Sequence, residues 1–384
     1  MTLNEPDFAA AAAGDGAVQY LLLSTPNLIA RNRVLLQLHV VGIPCDESPI
    51  GIRIDCRDLD WRVLLEAIAV DLSDAERVET RVAILRRSVD PQALHRTIFR
   101  AQGLNSLIDD LQNQWFDEIL KRDGIVMHLQ PLVQFPPGRV HGYECLMRGV
   151  DADGAVVCPT RMFDLARKLG RLEELDERCR LTAIRAASKV RQTGLTFFIN
   201  FIPSAARNLR KALSATIDQL HAAHLRPQQI AFEIVETEKL DDRRELLHAL
   251  RSYRKAGFRL ALDDVGAGYA SLLSVSKLRP DYIKLDGELV RRAAGGALEA
   301  KIVGDLTETA RQNGIMTIAE GIETPDQFHL AAASGIRITQ GDGLCAPRPK
   351  PLTQIELRQI VRRMQDARVA DRPMLTVPPL RRTM

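Results

Sequence analysis

From Gly124 onward the chain alternates between two kinds of segment. Strand-like stretches at Val126–Val133, Gly142–Met147, Leu195–Asn200, Ile230–Val235, Arg259–Asp263, Tyr282–Leu285, Ile315–Ala319 and Ile336–Thr339 are separated by helical patterns. The helical patterns cover Thr160–Leu169, Arg171–Arg191, Pro203–His221, Asp241–Lys255, Gly287–Gln312 and Pro325–Ala333. Such alternation sustained over about 240 residues predicts a parallel sheet with helices outside it. Eight strand candidates in that length favour a closed (β/α)8 TIM-like barrel over an open doubly wound sheet. The first two strands are joined only by the short Pro136-Pro137-Gly138 connection. That reads as a hairpin, so one barrel strand is expected to run antiparallel. The barrel is expected to span 124–368.

Ahead of it, residues 18–102 read as a small α+β domain. Ile50-Gly-Ile-Arg-Ile-Asp55 alternates with period two, as a half-buried strand does, and Arg33–Val41 is apolar. Trp61–Leu72 fits either a strand or a helix. A helical pattern follows over Asp74 to Arg87, and Asp90-Pro91 restarts another. With no clustered carboxylates and no Gly-rich phosphate loop, this part is expected to sense or dimerise. Leu104, Leu107, Ile108, Leu111, Trp115, Ile119 and Leu120 share one helical face, predicting a connecting helix over 103–123. It would pack on the barrel, couple the two parts, or both. Residues 1–17 are expected to be disordered and the proline-bearing 369–384 tail to be flexible.

Composition narrows the function. With 46% hydrophobic and 26% charged residues, the chain is an ordinary soluble one. Lys plus Arg (52) nearly balance Asp plus Glu (49), too even for a broad nucleic-acid or membrane surface. An anionic ligand must therefore be held locally. No apolar run reaches the roughly 18 residues that span a bilayer, and the start lacks a signal-peptide pattern. The six cysteines show no CxxC spacing and read as reduced thiols, so a cytoplasmic home is expected. His221 and His224 have no third ligand nearby in sequence and are expected to be structural or solvent-facing.

The chemistry sits where polar residues interrupt the strands. These are Glu144, Asn200, Glu233, Asp263-Asp264, Lys284, Glu320 and Gln340, each in or at the end of a strand candidate. A barrel gathers such positions around one mouth. A single carboxylate there is often a helix cap or a surface ion-pair partner. Several converging carboxylates need cations to offset their desolvation, and hard oxygen ligands suit Mg2+ or Mn2+. Adjacent aspartates suit a two-metal arrangement, with one carboxylate bridging ions about 3.5–4 Å apart.

At these residues the sequence resembles the EAL-domain family of cyclic di-GMP phosphodiesterases, over roughly 118–366. Its motifs appear as Gln130-Pro131, Glu144-Cys-Leu-Met-Arg148, Asn200, Glu233 with Glu236, and Asp263-Asp-Val-Gly-Ala-Gly-Tyr-Ala-Ser271. Lys284-Leu-Asp286, Glu320-Gly-Ile-Glu323 and Gln340-Gly341 complete the set. The resemblance implies two divalent cations. Glu144, Asn200, Glu233 and Asp263 would bind the first, with Asp263 shared and Asp264 serving the second. It gives Lys284, Glu320 and Gln340 catalytic roles around the water, and leaves open whether Lys284 or Glu320 handles the proton. Gln130, Arg148 and Asp286 would contact substrate; Glu236, Gly266, Gly268 and Glu323 would support the loops. The reaction implied is opening of cyclic di-GMP to linear pGpG, by a homodimer joined through the barrel face near Asp264.

Three departures from the family pattern stand out. Cys145 replaces a small alanine. Val265, Ala267 and Ala270 remove an aromatic anchor and hydroxyls from the loop after Asp264. Asp342 stands where an aromatic commonly follows Q-G. They sustain an alternative, a silent cyclic di-GMP receptor signalling through the N-terminal domain. A nucleotide-free interaction scaffold is a third possibility. No cyclase signature and no DNA-reading helix pair is visible.

Overall fold

A computed structural model describes residues 18–57, 59–85, 101–202, 209–235, 250–266, 275 and 278–366. The sequence expectations for residues 1–17, the helix restarting at Asp90-Pro91 and the 369–384 tail lie outside them. So do Glu236, Ala267, Gly268, Ala270 and parts of the Pro203–His221 and Asp241–Lys255 helices. The chain forms two compact units, Met1–Glu118 and Ile119–Met384.

The first unit holds an antiparallel sheet of β1 (Tyr20–Ser24), β2 (Cys45–Ser48), β3 (Gly51–Asp55), β4 (Arg81–Leu85) and β5 (Gln102–Gly103), in the order β2-β3-β1-β4-β5. Alternation along β1 and β3 puts Leu21, Leu23, Ile52 and Ile54 on one face. They pack against Val34 and Leu38 of helix Leu28–Val41 and Leu65 and Ile68 of helix Trp61–Val70. Trp61–Leu72, which fitted two periods, is thus a helix through Val70, started by Asp60 capping Arg62 N–H.

The predicted helix over Asp74–Arg87 is corrected. Ser73 and Glu76 form a capping box, but the helix ends at Glu79 and Arg81–Leu85 pairs with β1. Val82, Ala83 and Leu85 gain more from burial in the sheet than helical continuation offers, a tertiary override of local propensity. Helix Leu104–Lys121 begins inside this unit's core, where Leu104 and Leu107 are buried.

The second unit is a closed eight-stranded barrel. Its strands are β6 (Ile125–Gln134), β7 (Arg139–Val150), β9 (Thr196–Asn200), β10 (Ile230–Val235), β11 (Arg259–Val265), β12 (Tyr282–Leu285), β13 (Met316–Ala319) and β14 (Ile338–Thr339), with β8 (Val156–Val157) a short extension of β7. Pairing runs parallel from β7 through β9 to β14. β6 closes the ring, antiparallel to both β14 and β7, as the hairpin connection implied. The predicted Gly287–Gln312 helix is two, Gly287–Ala293 and Ala297–Gln312, broken at Gly295-Gly296 where glycine weakens helix continuity.

Both faces of the strands are buried. Leu132, Phe198, Ala231, Ala261, Tyr282, Ile318 and Ile338 fill the interior as one apolar layer. Outward residues such as Phe197, Ile199, Phe232, Leu262 and Ile283 are also buried, which is why the strands read as apolar runs.

Candidate active site

Side chains repeat on one face of a strand every two residues. One step beyond the apolar layer, toward the C-terminal mouth, Phe198 leads to Asn200, Ala231 to Glu233 and Ala261 to Asp263. Likewise Tyr282 leads to Lys284, Ile318 to Glu320 and Ile338 to Gln340. On the reversed β6 the step runs backward, from Leu132 to Gln130, and Gln130 lies opposite Glu144 of β7. The dispersed polar residues therefore form one layer resting on an apolar floor.

Lys284, 1% exposed, is its centre. Its Nζ lies 2.6 Å from Glu233, 2.7 Å from Glu320, 3.2 Å from Asp263 and 3.4 Å from Glu144. Gln340 Nε2 donates to Gln130 Oε1 at 2.9 Å and also to Glu144. Asn200 Nδ2 lies 3.4 Å from the other Glu144 oxygen. Gln130 Nε2 donates to Asp342 at 2.9 Å, so hydrogen bonds run from the exposed Asp342 to buried Glu144.

Asp264 lies off this pattern, since consecutive strand residues point opposite ways. The register of β11 against β12 shifts between Leu262 and Val265, and Asp264 takes a left-handed φ of 56°. Aspartate tolerates that conformation better than most residues, and the irregularity brings two adjacent carboxylates together. Asp263, Asp264 and Glu320 offer oxygens within 4.8 Å of one another. Next in the chain, Gly266 has φ 108°, and a Cβ there would meet the Leu289 side chain at 2.4 Å. Only glycine fits that turn.

The electrostatics are unbalanced. Five carboxylates (Glu144, Glu233, Asp263, Asp264 and Glu320) share one lysine. Burial, with the Glu144 and Asp263 charges, lifts Glu233 well above the usual carboxylate range against the pull of Lys284. Burial likewise lifts Glu320 to about 8, with Asp263 and Glu144 adding to it and Lys284 opposing. Burial, Asp263 and Asp286 raise Asp264. Glu144 goes the other way: burial opposes it, but Lys284 and the hydrogen bonds from Gln340, Lys284 and Asn200 hold it low. Burial also works against the Lys284 charge, yet the surrounding carboxylates keep it firmly protonated. Glu233 Oε2 and Gln340 Oε1 are buried without a hydrogen-bond partner. Surplus negative charge and orphaned oxygens fit divalent cations bound among these side chains.

Other expected site residues divide. Arg148 and Asn200 line a common cavity of about 220 Å3. Asp286 caps helix Gly287–Ala293, accepting from the N–H groups of Glu288 and Leu289 at 3.0 and 3.2 Å. Glu323 is exposed, so the structure does not bring its carboxylate into the buried layer. His221 and His224 are exposed too.

Some features escaped the sequence. The Asp342–Gln130 bond joins residues 212 apart, which no local pattern reveals. Nothing in the i,i+4 spacing of Asp176 and Arg180 sets them apart from a surface pair. Both are buried and bonded to each other, and Asp176 accepts the Ile202 N–H at 3.1 Å, two residues past Asn200. Gly321, with φ 60°, lets the Glu320 turn pass Gly287; a Cβ would stand 2.8 Å from the Gly287 Cα.

Comparison with known proteins bears on the family and the fold. Residues 108–347 match the model of the EAL domain. The chain is 27% identical over 211 residues to the probable cyclic di-GMP phosphodiesterase PdeA of Escherichia coli, covering 54% of this chain and 29% of that protein. It is 30% identical over 254 residues to the probable cyclic di-GMP phosphodiesterase PdeG of the same organism, covering 64% of this chain and 49% of that protein. It thus spans half or less of these relatives' lengths. Identity is 29% over 176 residues to the E. coli blue light- and temperature-regulated antirepressor BluF, covering 46% and 44% of the two chains. Among solved structures, the PaMucR phosphodiesterase–c-di-GMP complex aligns with a TM-score of 0.55 at 25% identity, over 64% of this chain and 98% of that one. Klebsiella pneumoniae BlrP1, in a manganese/cy-diGMP complex, shares the fold with a TM-score of 0.55 at 21% identity, over 86% of this chain and 96% of that one. With a domain model matched across more than half its length, the chain belongs to the EAL domain family.

Proposed function

We propose that the barrel is a divalent-cation-dependent phosphodiesterase that opens cyclic di-GMP to linear pGpG. The observation that carries this is the buried Lys284 ringed by four carboxylates, beside an Asp263–Asp264–Glu320 cluster whose charge one lysine does not balance. The named relatives and the ligand-bound family structures support it.

Glu144, Asn200, Glu233 and Asp263 would hold one cation, and Asp263 with Asp264 the second. Bound there, two Mg2+ or Mn2+ ions supply Lewis-acid activation of water and neutralise charge on the phosphate. Gln340 fixes the Glu144 carboxylate by donating to it, and Gln130 in turn holds Gln340. Lys284 adds fixed positive charge, and its 2.7 Å contact with Glu320 places an exchangeable proton beside the site. Arg148, at the neighbouring cavity, presents a guanidinium suited to a phosphate. Water adds to one phosphorus and the bond from that phosphorus to a ribose 3′ oxygen breaks. The departing oxygen takes a proton, leaving a 5′ phosphate and a 3′ hydroxyl. Pairing of two barrels near Asp264 belongs to the same reading, and sedimentation would report it.

A silent receptor is the second reading, favoured by the antirepressor relative and by Asp342 occupying Gln130. Chromatography of full-length protein incubated with cyclic di-GMP and Mn2+ separates the two. The phosphodiesterase yields pGpG; the receptor binds nucleotide and leaves it intact.

A further inference from the structure

The end of the barrel away from Lys284 carries a second concentration of charge, of opposite sign. A cavity of about 450 Å3 opens there between the start of β7 and the 191–195 segment leading into β9. Arg139, His141, Arg191 and Gln192 line it. Arg259 stands beneath, donating to Tyr282 Oη at 2.8 Å and to Thr196 Oγ1 at 2.9 Å.

Among the described residues, none of these three arginines has a carboxylate partner. Arg139 donates to the Gln134 amide oxygen at 2.9 Å, and Arg259 bonds only hydroxyls. The nearby Asp281 carboxylate accepts the Leu260 N–H at 2.9 Å and lies 3.9 Å from Arg254. Elsewhere arginines are routinely paired with acids, as Arg167, Arg171, Arg292, Arg311 and Arg348 are. Three guanidinium groups gathered without a counter-charge make a focused positive potential. The half-buried His141 registers it: burial, Arg259 and Arg139 push its pKa down to about 4.

The hydrogen bonding also leaves donors available. His141 Nε2 lies 3.2 Å from the Tyr282 hydroxyl, which also accepts from Arg259, and among the described residues the His141 Nδ1 edge has no hydrogen-bond partner. Gln192 has a buried amide oxygen with no partner, so a 180° turn of its amide would present the nitrogen instead. No Phe, Tyr or Trp is among the lining residues.

We propose that this cavity binds a small oxyanion of the phosphate class, gripped by the Arg139 and Arg191 guanidinium groups with His141 and Gln192 as polar partners. Guanidinium forks match tetrahedral oxyanions with paired hydrogen bonds. The size admits inorganic phosphate, pyrophosphate or a small phosphomonoester. The site is independent of the chemistry at the mouth, because none of its residues belongs to the Lys284 layer.

The test is thermal unfolding of the full-length protein in chelator, titrated with inorganic phosphate, pyrophosphate or glycerol phosphate against chloride at matched ionic strength. A saturable rise in Tm is expected, with the apparent affinity weakened at least tenfold in Arg139→Ala and Arg191→Ala. Both residues are exposed, so the variants should fold. Arg362→Ala, at an exposed pair remote in sequence, should bind as the wild type does. Tighter binding of glycerol phosphate than of phosphate would identify a metabolite monoester, and the reverse a free oxyanion. A Tm response equal to that of chloride, or unchanged affinity in both arginine variants, overturns the proposal.

Discussion

Lys284 carries the sharpest consequence at the scale of single residues. Among the described residues, its ammonium is the only cationic side chain paired with Glu144, Glu233, Asp263 and Glu320. Breaking such a buried set by removing one partner costs on the order of 3–5 kcal/mol, because the others are left uncompensated. Lys284→Met should therefore lower the stability of the metal-free protein by about that amount and abolish turnover. Added Mn2+ should stabilise the variant more than the wild type, since it supplies the missing charge. Equal responses in the two denaturation series would contradict this. Asp342 makes a smaller prediction. Losing its bond to Gln130 should cost about 1 kcal/mol of ordering, read as roughly a fivefold fall in kcat for Asp342→Ala. Asp342→Asn keeps an acceptor oxygen and should retain most activity. A change in KM alone would mean that Asp342 acts on the substrate rim and not through Gln130.

Among elements, the turns after β13 and β14 meet through close backbone contacts, with Gln327 accepting from the Glu323 and Thr324 N–H groups beside them. Ile322 N–H donates to Gln340 O at 3.0 Å, and Gly321 lies against Gly287. Gly321→Ala would press a Cβ to 2.8 Å from the Gly287 Cα at a left-handed φ. Overpacking of that kind costs about 1–3 kcal/mol, and it should displace Glu320 from Lys284. Urea unfolding together with turnover checks it; unchanged values in both would show that the turn yields freely.

The strand assignments in the barrel were legible because buried parallel strands are continuous apolar runs broken by polar residues one layer from the floor. Lys284 and Glu233 announced themselves in that way. Asp264 was legible only as half of a pair; the register shift and left-handed backbone that turn it toward Asp263 depend on packing. The Asp74–Arg87 stretch misled because a sound capping box opens it. Only pairing of Val82 with Leu23 across the sheet ends the helix early. Asp176 and Arg180 were invisible because an ion pair spaced four apart reads identically whether exposed or buried.

For the molecule as a whole, the charge is arranged by end: carboxylates at the C-terminal mouth, arginines at the opposite floor. That arrangement gives stability a pH dependence. In the unfolded chain His141 protonates near the ordinary 6.5, but in the fold only near 4. The contribution of the neutral imidazole is thus complete above pH 6.5, declines as pH falls toward 4, and is flat below. A displacement from 6.5 to about 4 corresponds to about 3 kcal/mol. Denaturation in chloride buffers should show His141→Gln gaining on the wild type by about that much between pH 7 and pH 4. A constant difference across that window would mean that the imidazole is not buried neutral. Among the described residues, no helix is long and apolar enough to cross a membrane.

Turnover of cyclic di-GMP with divalent cations at the Lys284 layer is the property on which the proposed function stands. Its most direct measurement is the rate of pGpG formation by the full-length protein as Mn2+ or Mg2+ is titrated in and then removed by chelator, alongside Asp263→Asn. Saturable, reversible dependence on the cation is expected in the wild type, with no turnover in the variant. Saturated nucleotide and cation binding with no pGpG formed would contradict it.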